Sequence, residues 1–184
     1  GIFPAWGQMP TQLLSFAGRE LLGAAVSSPL CPYERIFMLP LTTISMTKGT
    51  AIVTSVPSDS PDDYAACMDL QKPAKREFSG VAAEPFELVP VLSTPDLGEM
   101  SAKFMCEKLK VTSQKDVEKL KEAHDACYTS GFYKGVMTNG PFVGMKVEKA
   151  KVETRKYMVE RGEALTYLEP EGLVTPRSTP DVEC

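Results

Sequence analysis

Short runs of apolar and β-branched residues recur along the chain between groups of Gly, Pro, Ser and Asn. Runs of this length with turn-forming residues at both ends are typical of β-strands. The pattern predicts strands at residues 11–16, 33–39, 50–56, 86–92, 132–138 and 164–168. Together these strands predict a compact β core that is mostly antiparallel or mixed.

Helical spacing of apolar residues is found mainly in the middle of the chain, and it predicts helices at residues 61–70, 100–109, 114–130 and 147–161. The first of these follows Ser60, a good N-cap residue, and has proline at its first helical position. Ser60 with Asp63 also resembles a capping box. A well-defined helix start is therefore expected at Pro61.

The helix predicted at 114–130 has one apolar stripe, and glycine follows its last residue, Ser130. The stripe should face the β core, and Gly131 is expected to end the helix. We interpret His124 as a packed core residue because it lies on this stripe. The stripe consists of Val117, Leu120, His124, Cys127 and Tyr128.

These elements predict a β-rich framework at residues 1–72 and 132–184, with a helix-rich insertion at approximately 73–131. The first ten residues contain prolines, glycines and a tryptophan without periodicity, so we expect them to be irregular. Length and composition allow one domain with an insertion or two small domains, and the family resemblance given below implies a single domain, residues 1–184, of a larger protein.

Composition and cysteine usage exclude several classes of protein. The chain has 184 residues, of which 43% are hydrophobic and 24% charged, as in ordinary globular domains. It lacks an apolar run of about 18 residues and a signal-peptide pattern, so we expect a soluble chain without a membrane partner. Five cysteines without a CxxC pair indicate a reducing compartment and neither a disulfide framework nor a zinc site. The single histidine excludes most histidine-based metal sites and Ser–His or Cys–His catalysis.

Charge is distributed unevenly along the chain. The net charge is −4, yet residues 101–161 contain 13 Lys and Arg against 8 Asp and Glu. Solvated helix faces explain this basic half, although it is also compatible with nucleic acid. Lys146, Lys149 and Lys151 could contact phosphate or simply face solvent.

Residues 48–64, KGTAIVTSVPSDSPDDY, predict a strand, a tight turn and the N-terminus of a helix. Such an arrangement places backbone N–H groups and carboxylates at one spot, which favours binding of a polar ligand. Asp63 could be either a helix cap or a site residue. Asp59, Asp62, Asp63 and Asp69 could instead hold a hard cation such as Mg²⁺, although their spacing matches no calcium-loop pattern.

Residues 48–64 are similar to the GTGVVTSVPSDSPDD-type segment in the editing domain of eukaryotic-type cytosolic leucyl-tRNA synthetases, from which Ala51 departs. GRELLGAAVSSPL (18–30) and RIFMLPLTTI (35–44) precede the segment as in that family. GFYKGVM (131–137), GMKVEKAK (144–151) and GEALTYLEPE (162–171) follow it. The resemblance implies a mixed α/β fold, with a compact β-barrel-like editing domain surrounded by helices and a helix-rich eukaryote-type insertion.

The resemblance also implies an activity, which is hydrolysis of the aminoacyl ester of mischarged tRNA-Leu carrying isoleucine, norvaline or a similar amino acid. The family's last motif aspartate binds the substrate's α-ammonium group, and it matches Asp63. Thr54 and Val56 match positions that line the side-chain pocket. The neighbouring residues Ser55, Ser58, Asp59 and Asp62 are further candidate substrate contacts.

The resemblance implies a cytoplasmic protein whose editing reaction requires no metal or other cofactor, because ATP and Mg²⁺ serve only the synthetic domain. The implied partners are the aminoacylated 3′ end of tRNA-Leu, the remainder of the synthetase and possible partners in a multi-synthetase assembly. The family also uses a threonine-rich peptide that we do not find here, since Thr42 and Thr43 lie in a different context. A non-catalytic module that binds the tRNA 3′ end or a partner is therefore the alternative interpretation, and a metal-dependent phosphohydrolase is a third.

Overall fold

The computed structural model describes residues 11–46, 49–72 and 87–168. Within them the order of elements is β1 (Ala25–Val26), β2 (Ile36–Phe37), α1 (Pro61–Gln71), β3 (Leu92–Ser93), α2 (Ser101–Lys108), α3 (Val117–Lys134), β4 (Val136–Met137) and α4 (Val147–Glu160). A short 3-10 helix, Gly18–Leu21, precedes β1. Each of the four predicted helices is present, which agrees with the periodicity of the sequence. None of the helices in these ranges is long and apolar enough to cross a bilayer.

Helix α1 begins where the cap residues predict. Ser60 is the N-cap residue with extended backbone, and its Oγ accepts a hydrogen bond from the Asp63 N–H at 3.5 Å. The second half of a capping box is absent, because the Ser60 N–H donates to the Val56 carbonyl at 2.9 Å. The Asp63 carboxylate is therefore available for a different contact.

Helix α3 differs from its prediction at both ends and in its buried face. It begins at Val117 and continues past Gly131 to Lys134, where the Gly135 N–H donates to the Gly131 carbonyl. The expected stop at Gly131 was wrong because nothing there interrupts the i→i−4 hydrogen bonds. Val117 and Tyr128 were expected to be buried but are 66% and 52% exposed. The buried apolar positions of the helix are Leu120, Ala123 and Cys127.

The strands are short and form two separate antiparallel pairs within the described residues. Strand β1 pairs with β2, with Ala25 opposite Phe37, and β3 pairs with β4, with Leu92 opposite Met137. The fold is thus a mixture of helices and strands, as predicted. The described strands do not form a closed barrel, so the barrel-like detail stays a prediction.

Several predicted strands have another structure. Residues 11–16 and 50–56 contain no strand, residues 132–134 belong to α3, and 164–168 contain only an isolated bridge position. β-propensity stabilises a strand only when a neighbour supplies the hydrogen bonds. At the end of 50–56 the Val56 N–H donates to the Asp63 side chain instead of to a neighbouring strand.

The core lies between helices α1, α2 and α3. One apolar cluster contains Ala65, Cys106, Val111 and Leu120, so it joins all three helices. A second contains Met105, Ala123 and Cys127, between α2 and α3. These contacts fix α1, which carries Asp63 at its N-terminal end, against α3.

Some predictions fall outside the described residues. These are the irregular residues 1–10, the start of the insertion at 73–86, the first residue of the strand predicted at 86–92, and the end of the β-rich framework at 169–184. Lys48, the first residue of the motif, is also outside. The division into a β-rich framework and a helix-rich insertion stays a prediction.

Candidate functional site

An open cleft of about 340 Å³ lies at the N-terminal end of helix α1. Three parts of the chain form its walls: residues 41–44, the segment from Val53 to Asp63, and helix α3. The lining residues are Leu41, Thr43, Ile44, Val53, Thr54, Val56, Ser60, Asp62, Asp63, His124 and Tyr128. The cleft therefore combines carboxylates, hydroxyls, apolar side chains and two aromatic rings.

Asp63 is held in the cleft by a backbone contact with the segment that precedes the helix. Its Oδ2 accepts a hydrogen bond from the Val56 N–H at 2.8 Å. The two residues are seven positions apart in the chain, and the turn between them is closed by hydrogen bonds from the Asp59 and Ser60 N–H groups to the Val56 carbonyl. The turn thus fixes the carboxylate relative to the adjacent cleft wall.

Burial raises the pKa of Asp63 from its ordinary value. Hydrogen bonds from Val56, Ser60 and Ser55 act in the opposite direction, and the charge of Asp62 adds to the increase. An ionised carboxylate in this place is incompletely solvated, so a cation that enters the cleft would be attracted to it. Binding of an ammonium group by Asp63 stays a prediction.

Four predicted site residues meet in the cleft. Thr54 and Val56 line it next to the Asp62 and Asp63 carboxylates. Ser55, the residue between Thr54 and Val56, is not among the lining residues. It is exposed, and its hydroxyl contributes a hydrogen bond that lowers the pKa of Asp63.

Ser58 and Asp59 are directed toward helix α2 rather than into the cleft. The Asp59 carboxylate accepts hydrogen bonds from the Ser58 hydroxyl at 2.7 Å and the Ser101 hydroxyl at 3.3 Å. The Ala102 N–H donates to the Ser58 carbonyl at 3.0 Å. These contacts attach the turn to the first residues of α2, where a carboxylate also interacts favourably with the helix dipole. Substrate binding by Ser58 and Asp59 stays a prediction.

Helix α3 contributes two cleft residues that the sequence analysis did not select. His124 and Tyr128 are stacked, with ring centroids 4.0 Å apart and an angle of 22° between the ring planes. The expectation that His124 is a packed core residue was wrong, because its side chain is 41% exposed at the cleft. The signal for this pair was its i, i+4 spacing, which places both rings on one helix face.

Thr43 also lines the cleft, although its sequence context does not match the family's threonine-rich peptide. Its position follows from the packing of residues 41–44 near α1 and α3, more than 15 residues away along the chain. Local sequence holds no information about such a contact.

Three of the four aspartates proposed as a cation site have separate partners. Asp63 accepts from the Val56 N–H, Asp59 from two hydroxyls, and Asp69 from Lys72, Ser113 and Gln114. Within the ranges that the structure describes, no three His, Cys, Asp or Glu side chains are grouped as metal ligands would be. The geometry does not support the metal-dependent phosphohydrolase interpretation.

Buried thiols near the helical core are poor nucleophiles. Burial raises the pKa of Cys127 to about 11 and that of Cys106 to about 12. A thiol with such a pKa is almost fully protonated at neutral pH. The chemistry of the cleft therefore depends on the groups that line it.

Comparison with known proteins places the chain beside leucine–tRNA ligases. It is 44% identical over 173 residues to the putative cytoplasmic leucine–tRNA ligase of Schizosaccharomyces pombe, with 93% of this chain and 15% of that protein covered. It is 48% identical over 166 residues to the cytoplasmic leucine–tRNA ligase of Pongo abelii, covering 88% of this chain and 14% of that protein. The chain thus spans about one seventh of the length of these relatives. The cytoplasmic location expected from the sequence agrees with the names of these relatives. No family model matches the chain.

Solved structures show the same relationship. The crystal structure of GlLeuRS-CP1 is 42% identical with a TM-score of 0.74, and the match covers 85% of this chain and 62% of that one. The cytosolic leucyl-tRNA synthetase editing domain of P. knowlesi is 32% identical with a TM-score of 0.77, and the match covers 84% and 52%. Sequence and fold therefore identify the same group of proteins.

Proposed function

This chain belongs to the family of cytoplasmic leucyl-tRNA synthetase editing domains, and from that premise we propose that it contributes to hydrolysis of the ester bond of mischarged tRNA-Leu. The observation that carries the proposal is the position of Asp63. Its partly buried carboxylate lies in an open cleft beside Thr54 and Val56. An aminoacyl ester has one cationic group, the α-ammonium, and Asp63 is the carboxylate that we assign to it.

The reaction needs no covalent nucleophile. Water attacks the ester carbonyl carbon, the bond from that carbon to the ribose oxygen breaks, and the ribose hydroxyl recovers a proton. The products are a free amino acid and an uncharged tRNA. For such an activated ester, binding the ammonium group in a fixed position and orienting the water are effective contributions to catalysis.

Selection of the amino acid is assigned to the wall that contains Thr54 and Val56. A synthetic site distinguishes one methylene group by only about 1–3 kcal/mol, so a second hydrolytic site improves accuracy. A wall next to the ammonium anchor is well placed to accept isoleucine or norvaline and to misplace leucine. Ser55 and Asp62, close to the anchor, are further proposed substrate contacts, and Ser58 and Asp59 hold the turn that carries them.

The tRNA 3′ end and the remainder of the synthetase are the proposed partners, and partners in a multi-synthetase assembly are a further possibility to test. A single-stranded end binds well where aromatic rings are exposed beside a cleft, as His124 and Tyr128 are. No metal or other cofactor is proposed for the hydrolysis. ATP and Mg²⁺ are assigned to the synthetic part of the full-length enzyme.

A second proposal concerns these 184 residues by themselves. The match covers 62% of GlLeuRS-CP1 and 52% of the P. knowlesi domain. The threonine-rich peptide that the resemblance implies for the editing site is not found in these residues, and in isolation the chain is proposed to bind the tRNA end without hydrolysing the ester. Deacylation by the full-length protein together with none by the chain alone, despite retained tRNA binding, is the result that this proposal expects.

Substitution of Asp63 in the full-length protein tests the principal proposal. Asp63→Asn keeps an oxygen that can accept from the Val56 N–H but removes the charge, whereas Asp63→Ala removes both. A hydrogen bond to a charged group is worth about 1.5–3 kcal/mol, so we expect both variants to lose roughly 10- to 100-fold in kcat/KM for deacylation of isoleucyl-tRNA-Leu.

The asparagine variant separates the two roles of Asp63. If the residue only supports the turn, Asp63→Asn retains activity and Asp63→Ala loses it, and the proposed ammonium anchor is rejected. Glu153→Gln is the control for a change of charge, because that carboxylate is exposed on α4, a helix that does not line the cleft.

A further inference from the structure

A buried carboxylate lies at the other end of helix α1 from Asp63. Asp69 is 4% exposed. Its Oδ1 accepts from Lys72 Nζ at 2.6 Å, and its Oδ2 accepts from the Ser113 hydroxyl at 2.7 Å and the Gln114 N–H at 3.0 Å. A buried carboxylate with this many partners fixes the atoms that donate to it. Asp69 therefore fixes the backbone of Gln114 relative to α1.

The side chain of Gln114 continues the connection to a distant segment. Its Oε1 accepts hydrogen bonds from the Thr42 hydroxyl at 2.8 Å and from the Thr42 N–H at 3.5 Å. Thr42 lies 72 residues away along the chain. Through Gln114 and Thr42, Asp69 thus joins α1 to the turn at 41–44. Within this turn the Ile44 N–H donates to the Leu41 carbonyl.

This turn is a wall of the cleft. Leu41, Thr43 and Ile44, the neighbours of Thr42, line it together with Asp63. Asp63 and Asp69 are six residues apart on α1, which corresponds to about 9 Å along the axis. One helix therefore holds the proposed ammonium anchor at its start and, near its end, the carboxylate that fixes the facing wall.

We propose that Gln114, held by Asp69, is a positioning residue that sets the distance between the 41–44 wall and Asp63 through its contact with Thr42. The inference rests on the proposed editing function, because it assigns to this wall the placement of the substrate side chain. Thr42 itself does not line the cleft and acts only through its neighbours.

Thr42→Val and Thr42→Ser in the full-length protein form a matched pair. Valine has the shape of threonine but no hydroxyl donor, whereas serine keeps the donor. One neutral hydrogen bond is worth about 1 kcal/mol, so we expect Thr42→Val to lower kcat for deacylation of isoleucyl-tRNA-Leu about fivefold, with KM changed less than kcat. Thr42→Ser should remain within about twofold of the unsubstituted protein.

Gln114→Leu and the double variant Thr42→Val/Gln114→Leu test whether the two residues act as one connection. The double variant should be no less active than the worse single variant. Additive losses, unchanged activity in Thr42→Val, or an equal loss in Thr42→Ser each overturn the proposal.

Hydrogen exchange supplies a measurement that does not depend on catalysis. Thr42→Val and Gln114→Leu should both accelerate exchange of the backbone amides at 41–46 and leave those of α1 protected. Unchanged exchange at 41–46 also overturns the proposal. If the unsubstituted protein does not deacylate mischarged tRNA, the proposed function has failed. If it is active and the Thr42 and Gln114 variants are equally active, only the positioning role has failed.

Discussion

Ala51 has a backbone conformation that residues with a side chain rarely adopt. Its φ is +56°, in the left-handed region. It is also the position where residues 48–64 depart from the segment they resemble, which has glycine there. The Cβ of an L-residue makes the left-handed conformation costly, by roughly 1–2 kcal/mol in helical geometry. The chain therefore carries backbone strain close to the Thr54 and Val56 wall.

We expect Ala51→Gly to increase the free energy of unfolding by about 0.5–1 kcal/mol. Glycine removes the steric cost of the positive φ, and its greater freedom in the unfolded chain offsets part of the gain. Urea unfolding of the two proteins measures the difference. Ala126→Gly, inside helix α3, is the control and should lower stability by about 1 kcal/mol. A loss of stability in Ala51→Gly would show that the left-handed conformation at 51 is not strained.

Asp63 also affects stability, in a direction unusual for an aspartate. Because burial raises its pKa, its contribution to stability is fully present below the unfolded pKa of 3.8 and is lost as the pH rises through the folded pKa. At neutral pH its charge therefore costs stability while it serves as the proposed anchor. Asp63→Asn should for this reason remain folded, so a loss of deacylation in this variant would not result from unfolding.

Helix α3 shows how the surroundings of a glycine determine where a helix ends. An added Cβ at Gly131 would meet only the side chain of Leu92, at 3.8 Å, which is ordinary contact. At Gly135 it would lie 2.2 Å from the Gly131 carbonyl oxygen and 2.9 Å from Val147. The close approach of backbone therefore requires glycine at 135 and not at 131.

Alanine substitutions at these two glycines should have different effects on stability. We expect Gly135→Ala to lower the free energy of unfolding by about 1–3 kcal/mol, because a backbone atom must move to admit the methyl group. Gly131→Ala should leave stability unchanged or raise it by up to about 1 kcal/mol, because alanine is the better helix former. Thermal unfolding of both variants checks the difference. Similar losses at both positions would contradict the close approach at Gly135.

At the scale of the whole molecule, helices α1, α2 and α3 supply the core of the described residues, and a set of polar contacts joins the loops to it. One of these contacts connects the turn at 94–98 to the end of α3. Asp96 accepts a hydrogen bond from the Ser130 hydroxyl and another from Lys134 Nζ at 2.8 Å. The hydrogen bonds from Lys134 and Ser130 lower the pKa of Asp96 to about 2.

This pKa predicts a dependence of stability on pH. A depressed carboxyl pKa gives stability that is present above the unfolded value of 3.8 and is lost as the pH falls toward about 2. Asp96→Asn should therefore be less stable than the unsubstituted chain at pH 6, and the difference should decrease between pH 4 and pH 2. Urea unfolding across this range measures it. Lys134→Met, which removes the partner, should show the same convergence, and a difference independent of pH would exclude the Asp96 contact as its cause.

The sequence by itself predicted the helices, the start of α1 at Pro61 and the family to which the chain belongs. These features can be recognised before the tertiary structure is known, because helix periodicity, the Ser60 cap and the motif at 48–64 each depend on residues close together in the chain. The same motif selected Asp63, Thr54 and Val56, which share the cleft.

The tertiary structure alone decided the features that depend on residues far apart in the chain. Strands β1 to β4 are only two residues long because hydrogen bonding to a neighbour, and not propensity, sets their extent. His124 and Thr43 reach the cleft because α3 and residues 41–44 pack beside α1. The connection from Asp69 through Gln114 to Thr42 spans separations of 45 and 72 residues. Such contacts cannot be predicted from neighbouring residues in the sequence, since they form only when the helices pack together.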